Sequence, residues 1–133
     1  MTAIVVDTSA IIAILRAEPE KERFVDAILA ATPRLISAVS LQKLGMVVAG
    51  RFADERIWEP LDALLDRLDL QVVAHDASLV RIARQAFLRF GKGRHPARLN
   101  LGECAAYALA KANNLPLLFK GDNFPRTDIL PLT

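Results

Sequence analysis

The chain has 133 residues, of which 53% are hydrophobic, and its 17 basic and 15 acidic side chains give a net charge of +2. This length suits one domain, predicted to span residues 1–133, and the composition argues against disorder or a low-complexity tract. A single cysteine, Cys104, excludes an internal disulfide and is typical of a reducing compartment.

The longest nearly apolar stretch is AIVVDTSAIIAIL, residues 3–15. It is shorter than the roughly 20 residues that a membrane-spanning helix needs. No basic segment precedes it and no small-residue cleavage motif follows it, so we expect no signal peptide. The sequence therefore predicts a cytoplasmic protein with no membrane partner.

The first half of the chain alternates predicted strands and helices. AIVVD predicts a strand buried on both faces of a parallel sheet, and SAIIAILR after it has helical spacing. In EPEKERFVDAILAA, Phe24, Ile28 and Leu29 are predicted to share one helix face. PRLIS predicts a second strand, and AVSLQKLGMVVAGRF predicts a mostly apolar helix.

The second half continues this alternation. DERIWEPLDALLDRLDL predicts one amphipathic helix with Trp58 facing inward and Pro60 in its first turns or at a kink. QVVA predicts a third strand, and Asp76 is expected to cap a helix that ends near Gly91. After the loop GKGRHPARLN, LGECAAYALAKANN predicts a helix and LPLLFK a fourth strand. The order indicates an α/β fold with a mainly parallel sheet.

Three carboxylates are expected at one edge of that sheet. Asp7 ends the first strand, Asp122 follows the last, and Glu103 opens the helix after the basic loop. Taken singly, each has an ordinary explanation: Asp7 as a helix cap, Glu103 as a helix-dipole partner, and Asp122 as a turn residue. Taken together, they favour a site for a hard cation such as Mg²⁺ or Mn²⁺.

Basic residues are concentrated just before Glu103. The segment from Ala77 to Gly102 contains no acid, and 12 of the 17 basic residues in the chain are arginine, which suits phosphate contacts. This segment predicts either a polyanion-binding edge or a solvated helix face followed by a basic loop. The candidate residues for such an edge are Arg89, Lys92, Arg94 and Arg98.

Two side chains beside Glu103 have competing interpretations. Tyr107 lies one helical turn later and is expected either near the pocket or in the core. Cys104 has no base in clear register and is predicted to be a small buried residue and not a nucleophile.

Four segments in order resemble one family. IVVDTSAIIAIL, LISAVSL, GKGRHPARLNLGECAAYALAK and LPLLFKGDNF together resemble PIN-domain ribonucleases, and more closely the VapC toxins of bacterial toxin–antitoxin pairs. The resemblance covers nearly the whole chain. It implies a three-layer α/β/α sandwich, RNA hydrolysis with Mg²⁺ or Mn²⁺, a homodimer, and neutralisation by a VapB-like antitoxin.

Matching positions imply roles for particular residues. Asp7, Glu103 and Asp122 would be metal ligands and catalytic acids, with Thr8 or Ser9 helping to orient the site. The basic residues predicted to bind RNA would be Arg89, Lys92, Arg94 and Arg98. Glu103 stands where this subgroup usually has Asp in G-D-C, which adds a methylene to that ligand.

One position departs from the family pattern. After the second strand the family usually has S-A-x-S-L-x-E, whereas this chain reads SLQK, so Lys43 occupies the usual glutamate position. The lysine is expected either to disable the site, to stand in for a cation and contact phosphate, or to point away. Gln42 and Lys43 are almost the only strongly polar side chains on that helix, which favours a pocket-facing lysine.

The sequence therefore predicts a VapC-like metal-dependent endoribonuclease whose activity is weakened or lost through Lys43. The alternative is a catalytically inert PIN-fold module that binds RNA or antitoxin. A weaker third possibility is a metal-dependent hydrolase that acts on DNA or on a small phosphoester.

Overall fold

Every predicted strand and all but one of the predicted helices form as single elements in the computed structural model, which describes residues 2–130 and 132. The strands are β1 Ile4–Val6, β2 Arg34–Ser37, β3 Gln71–Val73 and β4 Leu117–Leu118. The α-helices are α1 Thr8–Leu15, α2 Lys21–Leu29, α3 Ala38–Ala49, α4 Glu59–Leu68, α5 Ala77–Phe90 and α6 Leu101–Asn113. Two short 3₁₀ helices cover Glu55–Trp58 and Phe124–Arg126.

The four strands form one sheet in the order β3-β2-β1-β4, and each neighbouring pair is parallel. In the register, Val5 of β1 lies opposite Leu35 of β2 and Leu117 of β4. The chain adds β2 and β3 on one side of β1 and then crosses to place β4 on the other. Ligand sites in open parallel sheets lie at the carboxyl end of such a reversal.

Helices cover both faces of this sheet. Val5 belongs to a core cluster with α5 and α6, whereas its neighbours Ile4 and Val6 belong to a second cluster with α1, α2, α3 and α4. Successive strand residues point to opposite faces, so a wholly apolar β1 serves both layers at once. The predicted α/β/α sandwich with a parallel sheet is confirmed.

The predicted helix around DERIWEPLDALLDRLDL is wrong as a single element. A 3₁₀ helix ends at Trp58 and α4 begins at Glu59, with Pro60 in its first turn. Proline has no N–H to donate to the carbonyl four residues earlier, so the helix cannot run through it. Trp58 is also not fully inward: its side chain is 38% exposed, and its indole N–H donates to the Gly45 carbonyl at 2.8 Å.

The predicted shared face of α2 is only partly right. Phe24 and Ile28 are buried, but Leu29 is 46% exposed. Each helical residue turns the side chain by about 100°, so Leu29 points well away from the direction that Phe24 and Ile28 share. Among the described helices, none is both long and apolar enough to cross a bilayer.

Arg34, the first residue of β2, joins the ends of two helices. Its guanidinium donates to the carbonyls of Leu29 and Ala31 near the end of α2, at 3.0 Å each, and to Leu68 at the end of α4, at 2.8 Å. The last carbonyls of a helix have no partner within the helix, so one arginine supplies donors to both termini.

We expect Arg34→Ala to lower the free energy of unfolding by about 2 to 3 kcal/mol, because it removes three charge-assisted hydrogen bonds. Urea denaturation followed by circular dichroism measures the change. Arg51→Ala, which removes an exposed arginine after α3, is the matched control and should change stability by less than about 0.5 kcal/mol. Equal effects of the two substitutions would contradict the proposed role of Arg34.

Candidate functional site

Asp7 lies at the carboxyl end of β1 and is 5% exposed. Its backbone N–H donates to the Leu118 carbonyl of β4 at 2.9 Å, which fixes it beside the point where the strand order reverses. Its side chain caps α1: Oδ2 accepts from the Ser9 N–H at 3.0 Å and from the Ser9 hydroxyl at 2.6 Å. The carboxylate at the end of a buried strand is thus held by the next helix.

Ser9 also connects Asp7 to the end of β4. While its hydroxyl donates to Asp7, its oxygen accepts from the Lys120 backbone N–H at 3.0 Å. Thr8 makes a second connection, since its hydroxyl donates to the Ser40 carbonyl of α3 at 3.0 Å. The start of α1 is therefore tied to β4 and to α3 by side-chain hydroxyls.

Glu103 approaches the same region from α6. It forms a capping box with Asn100: the Glu103 N–H donates to Asn100 Oδ1 at 2.9 Å, and the Asn100 N–H donates to Glu103 Oε1 at 3.1 Å. The other carboxylate oxygen, Oε2, accepts from Asn123 Nδ2 at 3.0 Å. The glutamate therefore both caps α6 and holds the loop after β4.

Lys43 of α3 packs against the first turn of α6. A Cβ atom built on Gly102 would lie 2.9 Å from Lys43 Cδ and 3.4 Å from Lys43 Nζ. The lysine stem thus fills the space that a side chain at residue 102 would need. Lys43 is half-buried, and its contact is with the first turn of α6.

The charges of these residues act on Asp7. Burial raises the pKa of Asp7 above its ordinary value of 3.8, and the hydrogen bonds from Ser9 oppose that rise. Glu103 raises this pKa further by repulsion, whereas Lys43 lowers it by attraction. Asp7, through Ser9 and Lys120, and Glu103, through Asn123, both hold the segment after β4, and Lys43 packs against Gly102 beside Glu103. The region around Asp7, Glu103 and Lys43 is called the pocket below.

Asp122 does not join them in a metal cluster. It lies exposed after β4, and the side chain from this loop that contacts Glu103 belongs to its neighbour Asn123. Within residues 2–130 and 132, no three His, Cys, Asp or Glu side chains form a group that could hold a metal ion. The donor set as arranged does not fit a cation held jointly by Asp7, Glu103 and Asp122.

Tyr107 and Cys104 take structural positions. The Tyr107 hydroxyl donates to Asp128 at 2.6 Å, and Asp128 also pairs with Lys111 at 3.2 Å and with Arg89 at 3.7 Å. Cys104 is buried as predicted, and burial raises the pKa of its thiol to about 11, which keeps it protonated.

Of the four predicted RNA-binding residues, Arg89 is already paired with an acid, Asp128.

The basic loop before α6 is firmly held. Gly91 pairs with Leu99, and the Lys92 N–H donates to the Leu99 carbonyl at 3.0 Å. The side chains of Lys92, Arg94 and Arg98 are exposed, and the loop ends at Asn100, the cap of α6. These three cations lie on the segment that leads directly to Glu103.

Sequence reasoning missed two residues of the site. Asn100 has a signal in the sequence, because Asn followed three residues later by Glu is a capping-box pattern. Asn123 has none, since its contact with Glu103 joins residues that are 20 apart and depends on the path of the loop after β4.

Comparison with known proteins identifies the family. The PIN domain family model matches residues 4–130. The chain is 45% identical over 125 residues to "VapC ribonuclease Mb0640" of Mycobacterium bovis, which covers 94% of this chain and 95% of that protein. The chain belongs to the PIN-domain family.

Two further comparisons agree with this assignment. This PIN domain is 44% identical to "Ribonuclease VapC" of Mycolicibacterium smegmatis, over 94% of this chain and 96% of that protein. It superposes on a chain of the crystal structure of VapBC2 from Rickettsia felis bound to a promoter DNA fragment with a TM-score of 0.76 and 17% identity, covering 99% of this chain and 98% of that one. At that identity the superposition shows the shared fold.

We expect Asp7→Asn to raise the free energy of unfolding at neutral pH. Burial raises the pKa of Asp7, so the folded PIN domain binds more protons than the unfolded chain between pH 3.8 and the raised value, and it loses stability as pH rises through that window. The gain in the variant should therefore shrink as pH falls and vanish below 3.8. Urea unfolding of both chains in EDTA, at several pH values from acid to neutral, measures this difference in the free energy of unfolding.

Asp76→Asn makes the same change at the exposed cap of α5 and is the matched control, which should show no such gain. A loss of stability in Asp7→Asn at neutral pH would contradict the expected burial penalty.

Proposed function

We propose that this PIN domain is a VapC-type toxin with an endoribonuclease site that acts on RNA phosphodiester bonds. Relatives named as VapC ribonucleases are 41–45% identical to it over at least 94% of the chain. The observation that carries the proposal is the pocket: a buried Asp7 at the end of β1, electrostatically coupled to Glu103 from α6, with a basic loop leading into it.

The basic loop has a definite role in this proposal. Two carboxylates repel a phosphodiester, so an acidic pocket needs cations before it can accept RNA. Lys92, Arg94 and Arg98 supply such charge on the approach, where contacts to phosphate position a nucleic acid without reading its sequence.

Family resemblance implies Mg²⁺ or Mn²⁺ as the cofactor, on Asp7, Glu103 and Asp122. This donor set is poorly arranged for the task, because Asp122 is exposed and Glu103 holds Asn100 and Asn123. A lysine ammonium about 4 Å from a divalent ion would be repelled by about 8 kcal/mol at an effective dielectric near 20. If relaxation of the lysine side chain and of the solvent reduces this repulsion to about 2 to 3 kcal/mol, metal binding weakens by roughly 30- to 150-fold.

We therefore propose that RNA cleavage by this chain is slow and that an acid at position 43 is needed for full activity. A second candidate function is an inert module that binds RNA or antitoxin and acts by sequestration. The contact between Lys43 and the first turn of α6 supports it, because a cation then lies beside the helix that carries Glu103.

Lys43→Glu is expected to raise the rate of RNA cleavage in Mg²⁺ or Mn²⁺ by at least roughly tenfold, since it removes the repulsion and adds a carboxylate. Gel analysis of a labelled single-stranded RNA, with a single-stranded DNA of the same sequence beside it, measures the rate and the substrate class. Asp7→Asn combined with Lys43→Glu should abolish the gain.

Equal activity of the native chain and Lys43→Glu, unchanged by Asp7→Asn, would show that the proposed site is wrong. Absence of cleavage in every variant, with RNA binding retained, would favour the inert module.

RNA affinity should depend on the basic loop. We expect Lys92→Ala and Arg98→Ala each to weaken binding of single-stranded RNA and to reduce the slope of log K against log salt by about 0.7, the value for one released counterion. Arg89→Ala should have a smaller effect, because Asp128 already pairs with its guanidinium.

Fluorescence anisotropy at several salt concentrations measures this slope, and Arg51→Ala is the control away from the loop. Unchanged slopes in both loop variants would remove the loop from the RNA-binding surface.

We propose two protein partners, a VapB-like antitoxin and a second copy of this chain. Several structures that superpose on it are described as VapBC complexes, from Salmonella typhimurium, Rickettsia felis and Mycobacterium tuberculosis. The surface also carries large apolar side chains, which an interface would cover. Among those more than 60% exposed are Met46, Phe52, Leu88 and Leu101.

A further inference from the structure

Lys43 has an unusual environment for a lysine. Its stem crosses the first turn of α6 at Gly102, where a Cβ atom would lie 2.9 Å from Lys43 Cδ. Glycine at this position thus leaves a space that the lysine fills. Unlike Lys111 and Lys120, which pair with Asp128 and with Glu18 and Glu20, Lys43 takes part in none of the ion pairs of the described ranges.

Its charge nevertheless acts on the pocket. Two contacts place it there: Ser40, one turn earlier on α3, accepts from the hydroxyl of Thr8 beside Asp7 at 3.0 Å, and the Lys43 stem packs against Gly102 beside Glu103. The attraction of its ammonium also lowers the pKa of Asp7. Its place beside the start of α6 brings no stabilisation from the helix dipole, which favours anions at that end. The position of Lys43 therefore stabilises charge in the pocket more than it stabilises α6.

The third observation is that the side chains that could bind a divalent ion form an incomplete set. A hard divalent ion requires several oxygen ligands, and the described part of the chain brings together no cluster of three suitable side chains. A positive charge is nonetheless present beside the first turn of α6, on a side chain with three N–H donors and a flexible stem.

We propose that Lys43 is the resident cation of this pocket: its ammonium group takes the place of a divalent ion and binds a phosphate oxygen of single-stranded RNA directly. This inference rests on the proposed RNA-acting function and specifies how that site binds its substrate. RNA binding at the pocket is then independent of divalent ions, and divalent ions bind there only weakly.

The first test is RNA affinity in excess EDTA, measured by fluorescence anisotropy with a short, mixed-sequence, single-stranded RNA. The native chain should bind equally well in EDTA and in Mg²⁺. Lys43→Gln, which keeps a stem but no charge, should bind roughly tenfold more weakly in EDTA, as expected for the loss of one charged hydrogen bond. Lys43→Arg should restore most of the affinity.

Lys21→Gln removes an exposed lysine from α2 and is the matched control for net charge, with unchanged affinity expected. Circular dichroism and thermal unfolding of each variant separate loss of binding from loss of fold, and the arginine variant provides a folded, charged comparison.

The second test is Mn²⁺ binding in the absence of RNA, followed by electron paramagnetic resonance of the free ion. Lys43→Glu should bind Mn²⁺ roughly 30- to 150-fold more tightly than the native chain. Lys21→Glu makes the same charge change on α2 and should not bind more tightly.

The inference is overturned if the native chain binds Mn²⁺ as tightly as Lys43→Glu, if its RNA affinity requires a divalent ion, or if Lys43→Gln binds RNA as well as the native chain in EDTA. Failure of the proposed function looks different. In that case the binding results follow expectation, but neither the native chain nor Lys43→Glu cleaves RNA.

Discussion

Burial of the Asp7 carboxylate is the constraint on which the site depends. A charged group is stable at 5% exposure only when hydrogen bonds replace its lost water, and Ser9 supplies two of them to the same oxygen. While the Ser9 hydroxyl donates to Asp7, its oxygen accepts from the Lys120 N–H, so the segment after β4 completes the arrangement. One hydroxyl group thereby links the Asp7 carboxylate, the start of α1 and the segment that follows β4.

Glu103 adds a second link of the same kind, from the other core layer. Its carboxylate holds the cap of α6 and the loop after β4, so moving it toward a ligand would break the bonds from Asn100 and Asn123. This second acid is therefore less free than its place in the sequence suggests. The Glu103 carboxylate is used for capping.

The sheet and most helices could be predicted because their signals lie in short stretches of sequence. An apolar run such as Ile4–Val6 is typical of a strand buried on both faces. Asp76 and Gly91 mark the two ends of α5 whichever elements that helix contacts. The break at Trp58 was missed because the helical spacing continued across Pro60. The site was predicted in part. Asp7 caps α1 at the end of β1 and Glu103 lies in the first turn of α6, as expected, but the partners of Glu103 and the space above Gly102 depend on tertiary packing.

The charge at position 43 links packing to chemistry. A glutamate there would add a third acid to the pocket and increase the repulsion on a buried carboxylate, which only an added cation could offset. The lysine offsets the same repulsion from within the chain, and its stem needs the space that Gly102 leaves. Fold stability and metal affinity therefore favour opposite charges at this position. Under the proposed function, a chain that keeps the lysine would gain a pocket that is stable without an ion and would lose part of its affinity for one.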